Sequence, residues 1–207
     1  MGNAKIIKLE LSTKILLSLF NFFAPIAMTF LIIASVVEVF SIKCTIWSLV
    51  AILFGLFSLI FNLVKYNKFL CVSDKTITIC KGKADAPKVE QIINVDNVTS
   101  KIPDREISLK LEKKKVTLLH VYPSIVGLVC FAGPLIFIPI YKSMYVVSQK
   151  SLEIYDVLPN LFDKQPKNHT KGENILVNVL AWGFVLFISF VGLLGMLYTP
   201  IYPFLNQ

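Results

Sequence analysis

Three stretches of this chain are too apolar and too long to be anything but helices built for a membrane. Ile15 to Phe40 has 26 residues with one ionisable side chain, Glu38 near its far end. Thr45 to Val64 has 20 residues and none, and Asn174 to Tyr198 has 25 and none. A bilayer core of about 30 Å takes roughly 20 helical residues at 1.5 Å each. Inside it, every backbone N–H and C=O needs a partner within the chain, which an α-helix supplies. Composition agrees: 55% of the 207 residues are hydrophobic and 16% charged. This is the profile of an integral membrane protein.

The first two runs are joined by the tight connection Ser41 to Cys44 and form a helical hairpin. Lys5, Lys8 and Lys14 flank one end, and Lys65 and Lys68 the other. Lys and Arg accumulate on the cytoplasmic side, so both flanks, the N-terminus included, are expected there. Basic residues ahead of an apolar stretch also suit a signal peptide, but no small-x-small cleavage site follows, and an uncleaved helix is expected. Asn21 is either an interhelical hydrogen-bonding group or a satisfied polar residue without a special role. Pro25 also interrupts this run.

Ser124 to Tyr141 is a third, shorter apolar run of about 18 residues, carrying Gly127, Gly133, Pro134 and Pro139. That length is marginal for a span and Pro134 would kink a helix, so the run either crosses or is re-entrant. In the last span, Gly183, Ser189, Gly192 and Gly195 are read as one face of small residues for helix packing or a homodimer contact.

Between the second and third runs lies the only long polar stretch, Lys65 to Tyr122. Its apolar residues recur at every second position, the mark of strands with one covered face. Phe69 to Ser73 and Thr76 to Cys80 flank Asp74-Lys75 as a hairpin. Ile107, Leu109 and Leu111, then Val116 and Leu118, make a second around Lys113-Lys114-Lys115. Gln91 to Asn94 is a weaker strand. Asp85-Ala86-Pro87 and Pro103-Asp104 read as loops. At about 58 residues the block is near the lower limit for an independent core. Lys5 to Ser12 also alternates, and is either an added strand or a basic tail.

The net charge of +8 is concentrated here: twelve of the 21 Lys and Arg residues lie between Lys65 and Lys115, against seven acids. Lys110, Lys113, Lys114 and Lys115 form the candidate interaction surface, suited to anionic lipid headgroups or to a protein partner. The same bias also follows from topology alone. The aromatic platform that single-stranded nucleic acid needs is missing, so no nucleic-acid partner is expected.

A second polar segment, Lys142 to Glu173, holds Met144 to Ile154, whose order of apolar, Val, Ser, polar, Lys, hydroxyl and aliphatic residues echoes Cys71 to Ile79. The echo suggests a β-hairpin and a partial internal repeat. A repeat would place both polar segments on one side of the membrane.

Catalytic chemistry has little to work with. The two histidines, His120 and His169, fall in different segments with no acid or cysteine grouped beside them. No phosphate loop or dinucleotide fingerprint occurs. Cys44, Cys71, Cys80 and Cys130 lack metal-ligand spacing, although Cys71 and Cys80 could face each other across the first hairpin. No enzyme activity, cofactor or metal is expected.

The order is a basic strand-like N-terminus, a helical hairpin, then FLCVSDKTITI, INVDNVTSKI and ISLKLEKKKVTLLHV. It resembles bacterial small membrane proteins with a pleckstrin-homology-like β domain behind two transmembrane helices. The resemblance covers about Met1 to Tyr122 and implies a protein- or membrane-interaction module in the inner (plasma) membrane. The second half departs from that pattern. The expected fold is membrane α+β, with about four transmembrane helices, the third spanning or re-entrant, and a small cytoplasmic β-rich domain between the second and third. The expected organisation is a strand or tail over 1–14, a transmembrane hairpin over 15–64 and a β domain over 65–122. A third apolar segment over 123–141, a polar loop over 142–173, a last helix over 174–198 and a tail over 199–207 complete it. The expected function is non-enzymatic interaction through the β domain, with a small helical-bundle immunity or transport protein as the alternative.

Overall fold

A computed structural model of the chain describes residues 4–36, 42–103, 105–129 and 137–205, excluding the side chains of 33–36, 42–45 and 198–205. Glu38, Asp104, Cys130, Gly133, Pro134 and the side chain of Cys44, all weighed above, lie outside the described set. The chain forms two compact units. One draws on the chain up to Glu10, Val64–Val121 and Tyr141–Ile175. The other draws on Leu11–Leu63, Tyr122–Ile140 and the chain from Leu176 onward.

The first unit contains two antiparallel sheets. Strands β1 (Lys5–Lys8), β2 (Lys68–Val72), β3 (Thr76–Lys83) and β4 (Ala86–Asn94) form one, in the order β1-β2-β3-β4. The N-terminal alternation is therefore a strand, paired to β2 with Ile7 opposite Leu70. Leu70 stands opposite Ile79, and Val72 opposite Ile77, which stands opposite Ile93. These six residues are buried on one face, as a period of two requires. Strands β5 (Val98–Ser100), β6 (Ser108–Leu111) and β7 (Lys114–Thr117) form the second sheet, in which Leu109 and Val116 pair and are buried.

The loop expected over Asp85-Ala86-Pro87 is shorter than the composition suggests. Lys83 pairs with Ala86 and Gly82 with Pro87, which leaves a two-residue turn, Ala84-Asp85. Pro87 is tolerated because β4 is an edge strand, where a missing N–H need not break the ladder.

The hairpin and internal repeat expected over Met144 to Ile154 are not present. This stretch lies inside helix α4 (Phe137–Tyr155). Among its buried residues Val147, Ser151 and Ile154 fall four and three apart on one helical face, with Lys150 beside them and Tyr145 and Val146 one turn earlier. The following turn ties back to the β block: the Ile102 N–H donates to the Leu161 carbonyl at 2.8 Å, and Ile102 bridges Phe162 in parallel. Lys5 pairs with Asp156 at 3.1 Å, and Lys101 with Asp163 at 3.2 Å. The segment from 142 to 173 is thus part of the β unit's own fold rather than a separate polar loop.

The second unit is helical, built from α1 (Leu11–Val36), α2 (Ile42–Tyr66), the short α3 (Ile125–Val129) and α5 (Lys171–Leu205). Among the described residues three helices are long and apolar enough to cross a membrane: Leu11–Ile32, Ile46–Tyr66 and Lys171–Leu197. These are the first, second and last of the expected four. Of the third apolar run, the described residues hold the five-residue α3 and the first turn of α4, and residues 130–136 between them lie outside the described set.

Candidate functional site

The most accessible site on the β unit begins with strand β4. Only Ile93 of its nine residues is buried, and the apolar Val89 and Ile92 are 51% and 65% exposed. Beside β4, an open groove of about 750 Å³ is lined by Ile92, Asn94, Asn97, Val98, Lys113 and Lys114, among others. Its floor is made where β4 gives way to the turn Val95–Asn97, capped by the Asn94 side chain accepting from the Asp96 N–H at 3.2 Å.

The four lysines read as one surface are split by the strand. Lys113 and Lys114 line the groove. Lys110 and Lys115 stand opposite each other on the other face of the β6–β7 hairpin, because successive residues in a strand alternate. Two ammonium groups directly opposed are unfavourable. Lys115 is engaged by Glu106, which also accepts from the Ser108 hydroxyl at 3.0 Å. Donation from Lys115 and then Ser108 holds the Glu106 carboxyl below its ordinary value. Sequence reasoning missed Ile92. Its exposure depends on the sheet face opposite Ile93 being left uncovered, which strand rhythm alone does not reveal.

Cys71 and Cys80 are free thiols with sulfurs 4.0 Å apart across β2 and β3. Burial, then the neighbouring Cys71, push the Cys80 thiol up to about 11, so it stays protonated and unreactive at neutral pH. His120 stacks on Tyr66, with ring centroids 5.7 Å apart. His169 does have an acid beside it, contrary to expectation: Nδ1 lies 3.3 Å from Glu173, and the ring sits 4.5 Å from that of Tyr145. Glu173 has a structural task. It accepts from the Thr170 N–H while Thr170 Oγ1 accepts from the Glu173 N–H, a capping box that starts α5. Lys142, only 5% exposed, lies over the Tyr145 ring, and burial lowers its pKa against the opposing pull of Glu10.

The helical unit buries a chain of uncharged polar groups. Asn21 Oδ1 accepts from both the N–H and the hydroxyl of Ser124, at 2.9 Å each. With its proton committed, Ser124 Oγ accepts from the Ser58 hydroxyl at 3.1 Å and from the Gly127 N–H at 3.2 Å. Asn62 donates to the Ser58 carbonyl at 2.7 Å. Asn21 is therefore a hydrogen-bonding residue that ties the start of α3 to α1. The sequence marked Asn21 but not its partners, which lie about a hundred positions away.

Of the small residues expected to pack along α5, two do so. A Cβ at Gly192 would lie 2.8 Å from Phe23 Cδ1, and one at Gly195 would lie 2.8 Å from Phe30 Cβ. Gly183 has nothing within 4 Å, and Ser189 is buried. Gly183 and Gly192 are nine residues apart, about 2.5 turns at 3.6 residues per turn, so they point to opposite faces. The tightest helix approach was not anticipated: a Cβ at Gly55 would lie 2.6 Å from the Phe22 carbonyl oxygen.

Among the described residues, no three His, Cys, Asp or Glu side chains group to hold a metal ion. Comparisons with protein-family models, curated proteins and solved structures found no match.

Proposed function

We propose that this chain is a non-enzymatic membrane protein whose β unit binds a protein partner along β4 and the adjoining groove. The observation that carries this reading is the free edge of β4, with Ile92 exposed beside Lys113 and Lys114. An edge strand offers unpaired N–H and C=O groups to an added strand, and flanking pockets select its side chains. Asp96 and Glu112 line the groove with the two lysines, so an extended segment carrying charges of both signs fits it. The pairing of β1 with β2 across the helical hairpin agrees with the element order on which the pleckstrin-homology-like resemblance rests, and that resemblance too points to an interaction module.

The reading includes a topology. Segments on either side of α1–α2, and again Tyr141–Ile175, belong to one compact unit. That membership supports a reading in which they share one face of the bilayer and the run after Ser124 returns to it. Lysine placement makes that face cytoplasmic in a bacterial inner membrane. Cysteines placed singly at Lys114 and Asn160, in a background lacking the native four, should both be shielded from an impermeant thiol reagent in intact cells. Labelling of position 160 from outside would overturn the topology.

The partner is tested by placing a photo-crosslinking side chain at Ile92 in the full chain in cells, with Lys110 on the other face as control. A discrete protein adduct at 92 and not at 110 is expected, and charge reversal of Lys113 and Lys114 should weaken it. Equal adducts at both positions, or none at either, would end the proposal.

The helical-bundle alternative has one observation in its favour. Asn62 is fully buried, and its Oδ1 lacks a partner among the described residues. In the helical-bundle reading that oxygen is the group left to accept from a toxin or solute once the helices part. Loss of protection or flux in Asn62→Leu, with crosslinking at Ile92 unchanged, would favour it.

A further inference from the structure

A second, smaller cavity lies in the β unit, between α4 and the chain that follows it. It measures about 280 Å³ and is more enclosed than the groove beside β4. Its polar lining is Ser148, Ser151, Lys164, Gln165 and Lys167, and no carboxylate lines it. Pro103, Phe162 and Pro166 form the apolar walls.

The walls are fixed by contacts made elsewhere. The Ser148 hydroxyl donates to the Lys167 carbonyl at 2.8 Å and holds the loop to α4. The pairing of Ile102 with Leu161 and Phe162 holds the other side. Within this frame several donors are unused. Ser151 is 4% exposed, and its hydroxyl has no partner among the described residues. A buried hydroxyl left unpaired is costly, which makes its position informative. Neither Lys164 nor Gln165 forms a hydrogen bond or ion pair among the described residues. Lys167 meets Glu173 at 3.3 Å, but both are well exposed, and such pairs are weak enough to exchange for a ligand.

We infer that this cavity binds a small phosphate group, held by the Ser151 hydroxyl, the Lys164 and Lys167 ammonium groups and the Gln165 amide. A buried, unpartnered hydroxyl and two lysines in a lining without a carboxylate favour an anion with several acceptor oxygens. The volume lies just below the range of ordinary small-molecule pockets, so the ligand is a phosphate monoester or a single headgroup. The site is separate from the groove beside β4, and neither proposal depends on the other.

The test uses the full chain. In detergent micelles, inorganic phosphate and glycerol 3-phosphate are titrated by calorimetry. In nanodiscs, the melting temperature is compared between phosphatidylcholine alone and phosphatidylcholine with phosphatidylglycerol. Wild type should show saturable binding or an upward melting shift in at least one arm. Lys164→Gln and Ser151→Ala should each weaken affinity at least tenfold or abolish the shift, while Lys88→Gln leaves both unchanged. Lys164 is exposed, so its variant preserves the fold even if Ser151→Ala does not. A response only to soluble phosphates identifies a free ligand, and one only in anionic nanodiscs a lipid headgroup. No response in either arm, or a response that Lys164→Gln leaves intact, would overturn the inference.

Discussion

Residues Cys71 to Ile79 and Met144 to Ile154 carry nearly the same order of residue types, yet one is a β-hairpin and the other a helix. In the first, Val72, Ile77 and Ile79 are covered by neighbours on both sides in the sheet. In the second, Val147, Ser151 and Ile154 are covered at intervals of four and three. A nine-residue pattern of common strand formers fits either element. What differs is the surface available to cover it. Strand β2 is flanked by β1 and β3, whereas residues 144–154 have no strand partner and bury a helical face instead. Propensity is a weak prior that tertiary packing overrides.

The sharpest way to test this contrast is to truncate one anchor in each segment. Ile77 and Ile154 are both fully buried. Ile77→Ala and Ile154→Ala should each destabilise the protein by about 2–5 kcal/mol, measured by thermal or denaturant unfolding of the full chain in micelles. A loss under about 0.5 kcal/mol for Ile154→Ala would mean that its segment is not packed as a helix.

Proline discriminates the two backbones. Gln149→Pro, in the interior of α4, should cost about 3 kcal/mol or more and raise hydrogen exchange across residues 142–155. Unchanged protection there would remove the helix from the comparison.

A smaller effect is expected beyond the second stretch, near the end of the polar segment Lys142 to Glu173 that contains it. Thr170→Ala removes one half of the capping box and should cost about 1 kcal/mol, seen as faster exchange at the N–H of Glu173. The β block that contains the first stretch has its counterpart in Glu106. Its carboxyl is held below the ordinary value of 4.5 by Lys115 and Ser108, so the stability it contributes is complete above that pH. It is lost as pH falls through the lowered folded value, and Glu106→Gln should flatten the stability profile in that range. An unchanged acid slope would show that the pair does no stabilising work.

Much of the β block was legible because strands that bury one face repeat every two residues, and Asp74-Lys75 marks the first reversal; the second falls on Glu112-Lys113, just ahead of most of the lysine run expected to turn, and Lys114 and Lys115 are strand residues. The site was less legible. Lys113 and Lys114 were found by charge, but their separation from Lys110 and Lys115 needed the register of β6 and β7. Ile92 needed the tertiary structure, since its exposure depends on the sheet face opposite Ile93 being left uncovered. Ser151 reads as an ordinary serine until its hydroxyl is seen buried beside a cavity.

Local rules were enough for the three long apolar helices and for the alternation that makes β1 to β3. Chain length and hydropathy set the first, and the period of side-chain direction sets the second. Tertiary structure decided what those rules leave open. It paired the N-terminal strand with β2 across some sixty residues. It turned the second polar segment into a helix and made it part of the β unit. It chose Gly55, Gly192 and Gly195, rather than Gly183, for close helix approach. Each of these outcomes depends on a partner distant in sequence, and burial free energy is set by that partner rather than by the residue alone.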